Sequence, residues 1–368
     1  EGAAVTFLGI EQSLTNRRWV GPDGAADRAA EGLAQRTGLP LAVARVLAER
    51  GVEADGAEGF LTPRLRDLLP DPLSLRDMEV AADRLVAAVT SGERIAVFAD
   101  YDVDGGASAA LLLDWLRGQG RDATLYIPDR IDEGYGPNAP AMAALARDHD
   151  LIVCVDCGTL SHDALAAAAG TDIIVLDHHL GGETLPPALA VVNPNRKDQA
   201  PGLGHLCAAG VTFFFCIEAV KELNRRGHIF PVRPNMTDLL DIVALGTVAD
   251  VVPLTGVNRA IVTRGLRVMN DNPCVSIQEL LFACGIEPKK KFGKKADAYA
   301  CGFMLGPRIN AEGRIGDASA GTRLLLETNR EKARKMALAL NDVNRERQMM
   351  EQSVTQRARE YVEQKDKE

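Results

Sequence analysis

The chain has 368 residues, 46% hydrophobic and 25% charged, which is the balance of a globular protein with room for two modest domains. A formal charge of −9 excludes a wholesale basic coat, though not a local cationic groove, and 5% aromatics do not advertise an extended base-stacking surface. Seven thinly spread cysteines do not form a disulfide framework, and a reducing, cytoplasmic setting is expected. No signal peptide and no apolar run of spanning length is visible, so no membrane partner is expected.

Residues 1–75 read as a helical lead-in, with a helix at Leu41–Leu47 and punctuation by Pro63, Pro70 and Pro72. Apolar residues at helical spacing over Ala81–Thr90 stop at Ser91-Gly92. The pattern then changes. Ile95–Ala99, Ala123–Ile127, Leu151–Val155, Asp172–Leu176 and Ala190–Val192 are short runs rich in Val and Ile. The helical stretches Ala107–Leu116, Ala139–Arg147 and Ser161–Ala169 separate the first four of them. Continuous apolar strands alternating with helices define an α/β class: a doubly wound, mainly parallel five-stranded sheet, buried on both faces. Within it Cys154 and Cys157 form a CxxC, but the run Leu151–Asp156 makes them apolar fillers of a strand rather than a redox or zinc pair.

Additional helices are predicted at Cys207–Asn224 and Thr237–Thr247, and Glu287–Lys295 is predicted to be an exposed loop with five lysines around Phe292. From Arg330 onward Ala333, Met336, Ala337, Leu340, Val343, Met350, Val354 and Tyr361 keep helical spacing amid dense charge. This predicts a long C-terminal connecting helix. Four segments are therefore expected: 1–75, an α/β domain over 76–225, a helical part over 226–325, and the connecting helix over 326–368, with the chain a fragment of a longer protein.

Parallel sheets bind ligands at the carboxyl ends of their strands, and three of these strands end in acid. Ile95–Ala99 runs into Asp100, Asp102 and Asp104; Leu151–Val155 ends at Asp156; Asp172–Leu176 ends at Asp177-His178-His179. A fourth acid, Asp250, follows Ala244–Ala249. A single Asp at a strand end is usually a cap or turn former. Three carboxylates within five residues would repel one another unless a cation sat among them. The economical explanation is a cluster of divalent ions. Carboxylates with imidazole, and no converging thiolates, suit Mn²⁺ or Mg²⁺ better than structural Zn²⁺. Two such ions bridged by one carboxylate can neutralise a phosphoryl transition state, and Asp156, alone on a central strand, is the bridging candidate. His178 and His179 are adjacent, so an extended backbone would send their rings to opposite sides. His178 is taken as a ligand and His179 as the residue that supports the site or contacts phosphate.

These residues match a pattern. Asp177-His178-His179 is the signature of the DHH phosphoesterase superfamily, and further stretches resemble its RecJ branch: Asp100–Gly105, Val155–Gly158, Ala244–Leu254, Leu305–Arg314, Ile127–Arg130 with Gly134–Gly136, and Val192–Asn195. The likeness runs in order from about residue 60 to 350. It implies a 5′-to-3′ exonuclease that degrades single-stranded DNA to mononucleotides in repair and recombination. It also implies two Mn²⁺ or Mg²⁺ ions held by Asp102, Asp104, Asp156, His178 and Asp250, with Asp100 close by. Arg130 would hold the 5′ phosphate, while Arg308, Asn310 and Arg314 would lie along the DNA path. Single-stranded DNA with a 5′ end is the expected partner, with a helicase and a single-strand-binding protein as further candidates. Two other readings compete: a small-phosphoester hydrolase of the same superfamily, and a non-catalytic replication scaffold.

Overall fold

The computed structural model describes residues 6–21, 24–129, 132–231, 235–291, 293–311 and 318–365. The chain divides into two compact units, Glu1–Leu68 and Leu69–Glu368. The first holds α1 (Gly24–Thr37), α2 (Leu41–Glu49), α3 (Ala57–Leu61) and α4 (Leu65–Leu68). Leu33, Ala44, Leu47 and Ala57 form its small apolar core.

The second unit opens with α5 (Met78–Ser91), which stops at Gly92 in the left-handed region, where the Ser91-Gly92 signal placed its end. Then follow β1 (Ile95–Ala99), α6 (Val103–Gly118), β2 (Ala123–Tyr126), α7 (Ala139–Asp148), β3 (Leu151–Val155), α8 (His162–Ala166), β4 (Asp172–Leu176) and β5 (Ala190–Val192). The five strands lie in the order β2-β1-β3-β4-β5, and every pairing is parallel. Alternate residues serve opposite faces. Phe98, Ile152, Cys154, Ile173, Val175 and Val191 pack on Met142, Leu145 and Leu165 of α7 and α8. The other face carries α5 and α6. Both faces are covered, which is why the strands read as unbroken apolar runs.

The register positions the site. Ala99 pairs with Val155, Val155 with Leu176, and Leu176 with Val192. The next residue of each strand extends the ladder: Asp100 N–H donates to Val155 O, Asp156 N–H to Leu176 O, and Asp177 N–H to Val192 O. Asp100, Asp156, Asp177 and Asn193 therefore stand in a row along one edge. The strand order reverses between β1 and β3, so this row crosses the switch point where such sheets take ligands.

The remaining helices are α9 (Ala208–Arg225), α10 (Leu240–Ala249), α11 (Gly256–Asp271), α12 (Val275–Ala283), a π-helical turn (Ala300–Leu305) leading into α13 (Gly306–Ile309), α14 (Ala320–Leu325) and α15 (Arg330–Lys365). Apolar on nearly every side, α10 is buried against α6, α9 and α11. In α15, Ala333, Ala337 and Leu340 are buried against the fold, whereas every residue from Gln348 to Lys365 is exposed. Among the described residues no helix is long and apolar enough to cross a membrane.

Candidate metal centre

The turn after β1 is shaped by its acids. Asp102 caps α6, its Oδ1 accepting from Asp104 N–H at 2.9 Å and Gly105 N–H at 3.0 Å. A Cβ at position 105 would stand 2.5 Å from Asp100 O, so only glycine lets the helix start this close to the strand. Asp104 is buried, and its carboxylate accepts from Ala208 N–H at 2.6 Å and Ala209 N–H at 2.9 Å, buried amides at the start of α9 that have no acceptor within the helix. Asp156 has φ +61°, a left-handed conformation that Asp tolerates better than most residues. α10 ends at Asp250.

These side chains converge. His178 Nε2 lies 3.3 Å from Asp156 Oδ1, 3.6 Å from Asp250 Oδ2 and 3.8 Å from Asp104 Oδ2. Three overlapping sets each place ligand atoms within 4.8 Å of one another: Asp156, His178 and His179; Asp104, His178 and Asp250; Asp100, Asp102 and Asp156. Asp100 Oδ1, Asp156 Oδ1, His178 Nε2 and Asp250 Oδ2 are all buried and have no hydrogen-bond partner. Orphaned buried acceptors of this kind are costly unless something binds them, and oxygen with imidazole is a donor set for a hard or borderline divalent cation.

The electrostatics agree. Burial pushes the Asp100 carboxyl up to about 7, and the neighbouring charge of Asp102 adds to the rise. Burial first, and then the other acids, also raise Asp104, Asp156 and Asp250. His178 is pushed down by burial and by the charge of His179, which keeps a neutral imidazole with a lone pair to offer.

Asp177 does something different. Its Oδ1 accepts from the N–H groups of His178 and His179 and from His179 Nδ1 at 2.8 Å, while Oδ2 accepts from Thr159 N–H at 3.0 Å. Burial alone would raise this carboxyl; the bonds from His179 and Thr159 outweigh it and hold the group well below the usual carboxylate range. In return the Asp177 hydrogen bond raises His179, against the opposing effect of burial. Around one acceptor the backbone bends, and this corrects the expectation from an extended chain. The two imidazoles are not on opposite sides; their centroids are 4.6 Å apart and both face the cluster.

Asp100, Asp102, Asp104, Asp156, His178, His179 and Asp250 are thus brought together. Arg308, in α13, and Asn310, at its end, are outside these ligand sets. Arg308 donates to Asn341 Oδ1 at 3.0 and 3.1 Å and to Met304 O at 2.6 Å, which ties α13 to α15. Asn310 Oδ1 is buried without a partner. Arg130 and Arg314 lie outside the described residues.

Three contributors escaped the sequence reading. Tyr135 places its hydroxyl 3.2 Å from His179 Nε2 and 3.4 Å from Asp156 O. Asn193 and Asn195 donate to the carbonyls of His179 and His178. Finally, the first amides of α9 hold Asp104. The segments Gly134–Gly136, which includes Tyr135, and Val192–Asn195 were visible as resemblances without a role; nothing local in the sequence points Ala208 at an aspartate.

A doubly wound α/β unit with carboxylates and imidazoles gathered at its switch point defines a class of metal-binding domain. Comparison with known proteins narrows it. The model of the DHH family, N-terminal domain, matches residues 94–247. The single-stranded-DNA-specific exonuclease RecJ of Bacillus subtilis (strain 168) is 36% identical over 326 residues, which is 88% of this chain and 39% of that protein. A crystal structure of exonuclease RecJ bound to manganese matches with a TM-score of 0.68 at 33% identity, covering 78% of this chain and 70% of that one. RecJ from Thermus thermophilus in complex with Mn²⁺ matches with a TM-score of 0.73 at 31% identity, covering 91% of this chain and 46% of that one. The chain belongs to the DHH family, in its RecJ branch. It spans about half the length of the curated relatives it matches.

Proposed function

We propose that this chain carries the active site of a metal-dependent 5′-to-3′ exonuclease that hydrolyses phosphodiesters of single-stranded DNA and releases 5′-mononucleotides in DNA repair and recombination. The observation that carries the reading is the convergence of four buried, unpartnered ligand atoms, on Asp100, Asp156, His178 and Asp250, at the switch point of the sheet. Relatives crystallised with manganese support it.

Two Mn²⁺ or Mg²⁺ ions would be held by Asp100, Asp102, Asp104, Asp156, His178 and Asp250. Asp156 belongs to two of the three ligand sets, which suits a bridging role. When bound, such ions acidify water and neutralise charge on a phosphoryl group. The chain's own residues do the rest. The start of α9 fixes Asp104, and Asp177 fixes His179. His179, half-exposed and favoured in its protonated form, presents a positive N–H to the phosphate and stabilises charge that grows there. In the structure Nε2, which carries that N–H, lies 3.2 Å from the Tyr135 hydroxyl, which holds the ring until the phosphate takes its place.

Arg130 is assigned to the 5′ phosphate, and Arg314 and Asn310 to the DNA path. Arg308 reaches that path, in this reading, with the N–H groups not used on Asn341 and Met304. A single strand with a 5′ end is the substrate. A helicase and a single-strand-binding protein are the proposed partners, in the cytoplasm.

The test is incubation of a 5′-phosphorylated single strand with the protein and Mn²⁺, following release of mononucleotides. Asp156→Ala should abolish release; a variant that cleaves like the parent would sink the assignment. Turnover of long strands well above that of dinucleotides separates this reading from a small-phosphoester hydrolase.

A further inference from the structure

The π-helical turn before α13, with the residue that caps its start, carries two large aromatic side chains that the mechanism does not use. Tyr299 is 59% exposed and Phe303 is 69% exposed, and the two rings stack at 4.9 Å with 26° between their planes. By contrast, Trp115, Phe98 and Phe213–Phe215 are fully buried. A preformed pair of rings held open to water loses hydrophobic stabilisation, and it offers a flat apolar surface with no rotamer ordering left to complete.

Its surroundings specify what that surface fits. Lys294 Nζ lies 6.0 Å from the Tyr299 centroid and 3.7 Å from Met304 Sδ. Lys294 belongs to a segment with lysines at 289, 290, 291, 294 and 295, against the acids Glu287 and Asp297. This is the densest run of cations in a chain of net charge −9. Rings that stack and cations that follow a backbone are the two components of single-strand binding.

The same turn leads to the metal centre. Gly302, between the two rings in sequence, lines a cavity of about 180 Å³ together with Val103, Ala249, Asn310 and Arg347. Val103 lies between Asp102 and Asp104, and Ala249 precedes Asp250.

We propose that Tyr299 and Phe303 form a base-stacking platform beside the metal centre, with Lys294 and its neighbours on the phosphates of the same strand. The proposal deepens the reading above and rests on it for the identity of the strand. It adds a source of selectivity: a base inside a duplex has both faces covered by its neighbours, whereas the bases of a single strand can each turn a face to these rings.

The test compares the parent with Tyr299→Leu/Phe303→Leu, which keeps the apolar volume and removes the rings. Substrates are a 5′-phosphorylated strand of about twenty nucleotides and a 5′-phosphorylated dinucleotide, with KM for the long strand expected to rise about tenfold or more. Dinucleotide turnover and the thermal midpoint should not change, and Phe303→Trp should bind at least as tightly as the parent. Independently, a strand carrying 5-iodouracil should photocrosslink to Tyr299 or Phe303. Equal KM for the long strand in parent and double variant would overturn the platform, as would crosslinks that map only to other elements. So would loss of dinucleotide turnover in parallel, or protection of the rings by an acidic peptide but not by DNA. If the parent hydrolyses neither substrate, the exonuclease reading fails, and the crosslink still decides whether the rings hold a strand.

Discussion

On α9 and α12, buried glutamates sit against arginines: Glu222 meets Arg225 and Arg226, and Glu279 lies between Arg330 and Arg334. At the carboxyl edge of the sheet Asp100, Asp104 and Asp156 are buried at least as deeply, yet the basic groups against the cluster are the imidazoles of His178 and His179. Both regions bury negative charge, but they balance it differently. The helical acids are closed by arginine side chains and help hold the fold; the acids of the centre repel one another, and Asp100, Asp156 and Asp250, with His178, each leave one ligand atom open. Charge compensation from outside the chain is what the second arrangement is built for.

The sharpest way to break this contrast is Asp156→Asn. Activity should fall by about a thousandfold. The metal-free protein should meanwhile unfold at a higher temperature, because a carboxyl whose ionisation is opposed by burial is gone and Asn accepts the left-handed backbone. A drop in both activity and metal-free Tm would mean that Asp156 is a structural acid like the glutamates.

Asp177→Asn should be milder. Activity and Mn²⁺ affinity should drop by about ten- to a hundredfold, as expected for the residue behind a functional imidazole. His179 loses the bond that raises it, so the alkaline limb of the pH–rate profile should move to lower pH. An unmoved limb would remove His179 from the mechanism.

Arg196 tests the closed kind of charge. It is nearly buried, and it pairs with Asp77 and Asp198 and donates to Val191 O. Replacing it with Ala should cost about 3 kcal/mol of stability in a denaturant titration, with turnover per folded molecule unchanged. Loss of Mn²⁺ affinity there would blur the two classes.

The smallest effect is in pH. Asp100 is raised to about 7 in the fold, so the folded state binds its proton more tightly than the unfolded chain does. Its contribution is full below the unfolded value near 4 and is lost as pH rises towards 7. The metal-free Tm should therefore drift down between these values, and Asp100→Asn should reduce the drift, with Asp104, Asp156 and Asp250 supplying the rest. Mn²⁺ competes with those protons, so its stabilising effect should grow over the same window.

Much of this was legible in the residues. Unbroken Val and Ile runs separated by helical periods specify strands covered on both faces, and all five were placed to within a residue of their observed ends. The acids at the strand ends were legible too, because a parallel sheet brings all its carboxyl ends to one edge. Other features depend on long-range contacts. Backbone amides of α9 meet Asp104 across 104 residues of sequence, and Tyr135, visible only as part of the Gly134–Gly136 resemblance, meets His179 across 44; no local pattern names either partner. Arg308 looked free in the sequence, and only the packing of α15 shows it bonded to Asn341. The side of the chain on which His179 lies was misjudged for a similar reason. Ring direction follows backbone geometry, and Asp177 bends that backbone through hydrogen bonds that residue spacing does not reveal.

By itself, then, the order of residues determined the sheet, its carboxyl edge and the chemical identity of the donors lying there, because periodicity and strand-end position are local properties of a chain. Which of those donors are bonded, which are left open and which way each ring faces were decided by the tertiary structure alone. Those depend on elements far apart in sequence closing around the same few cubic ångströms.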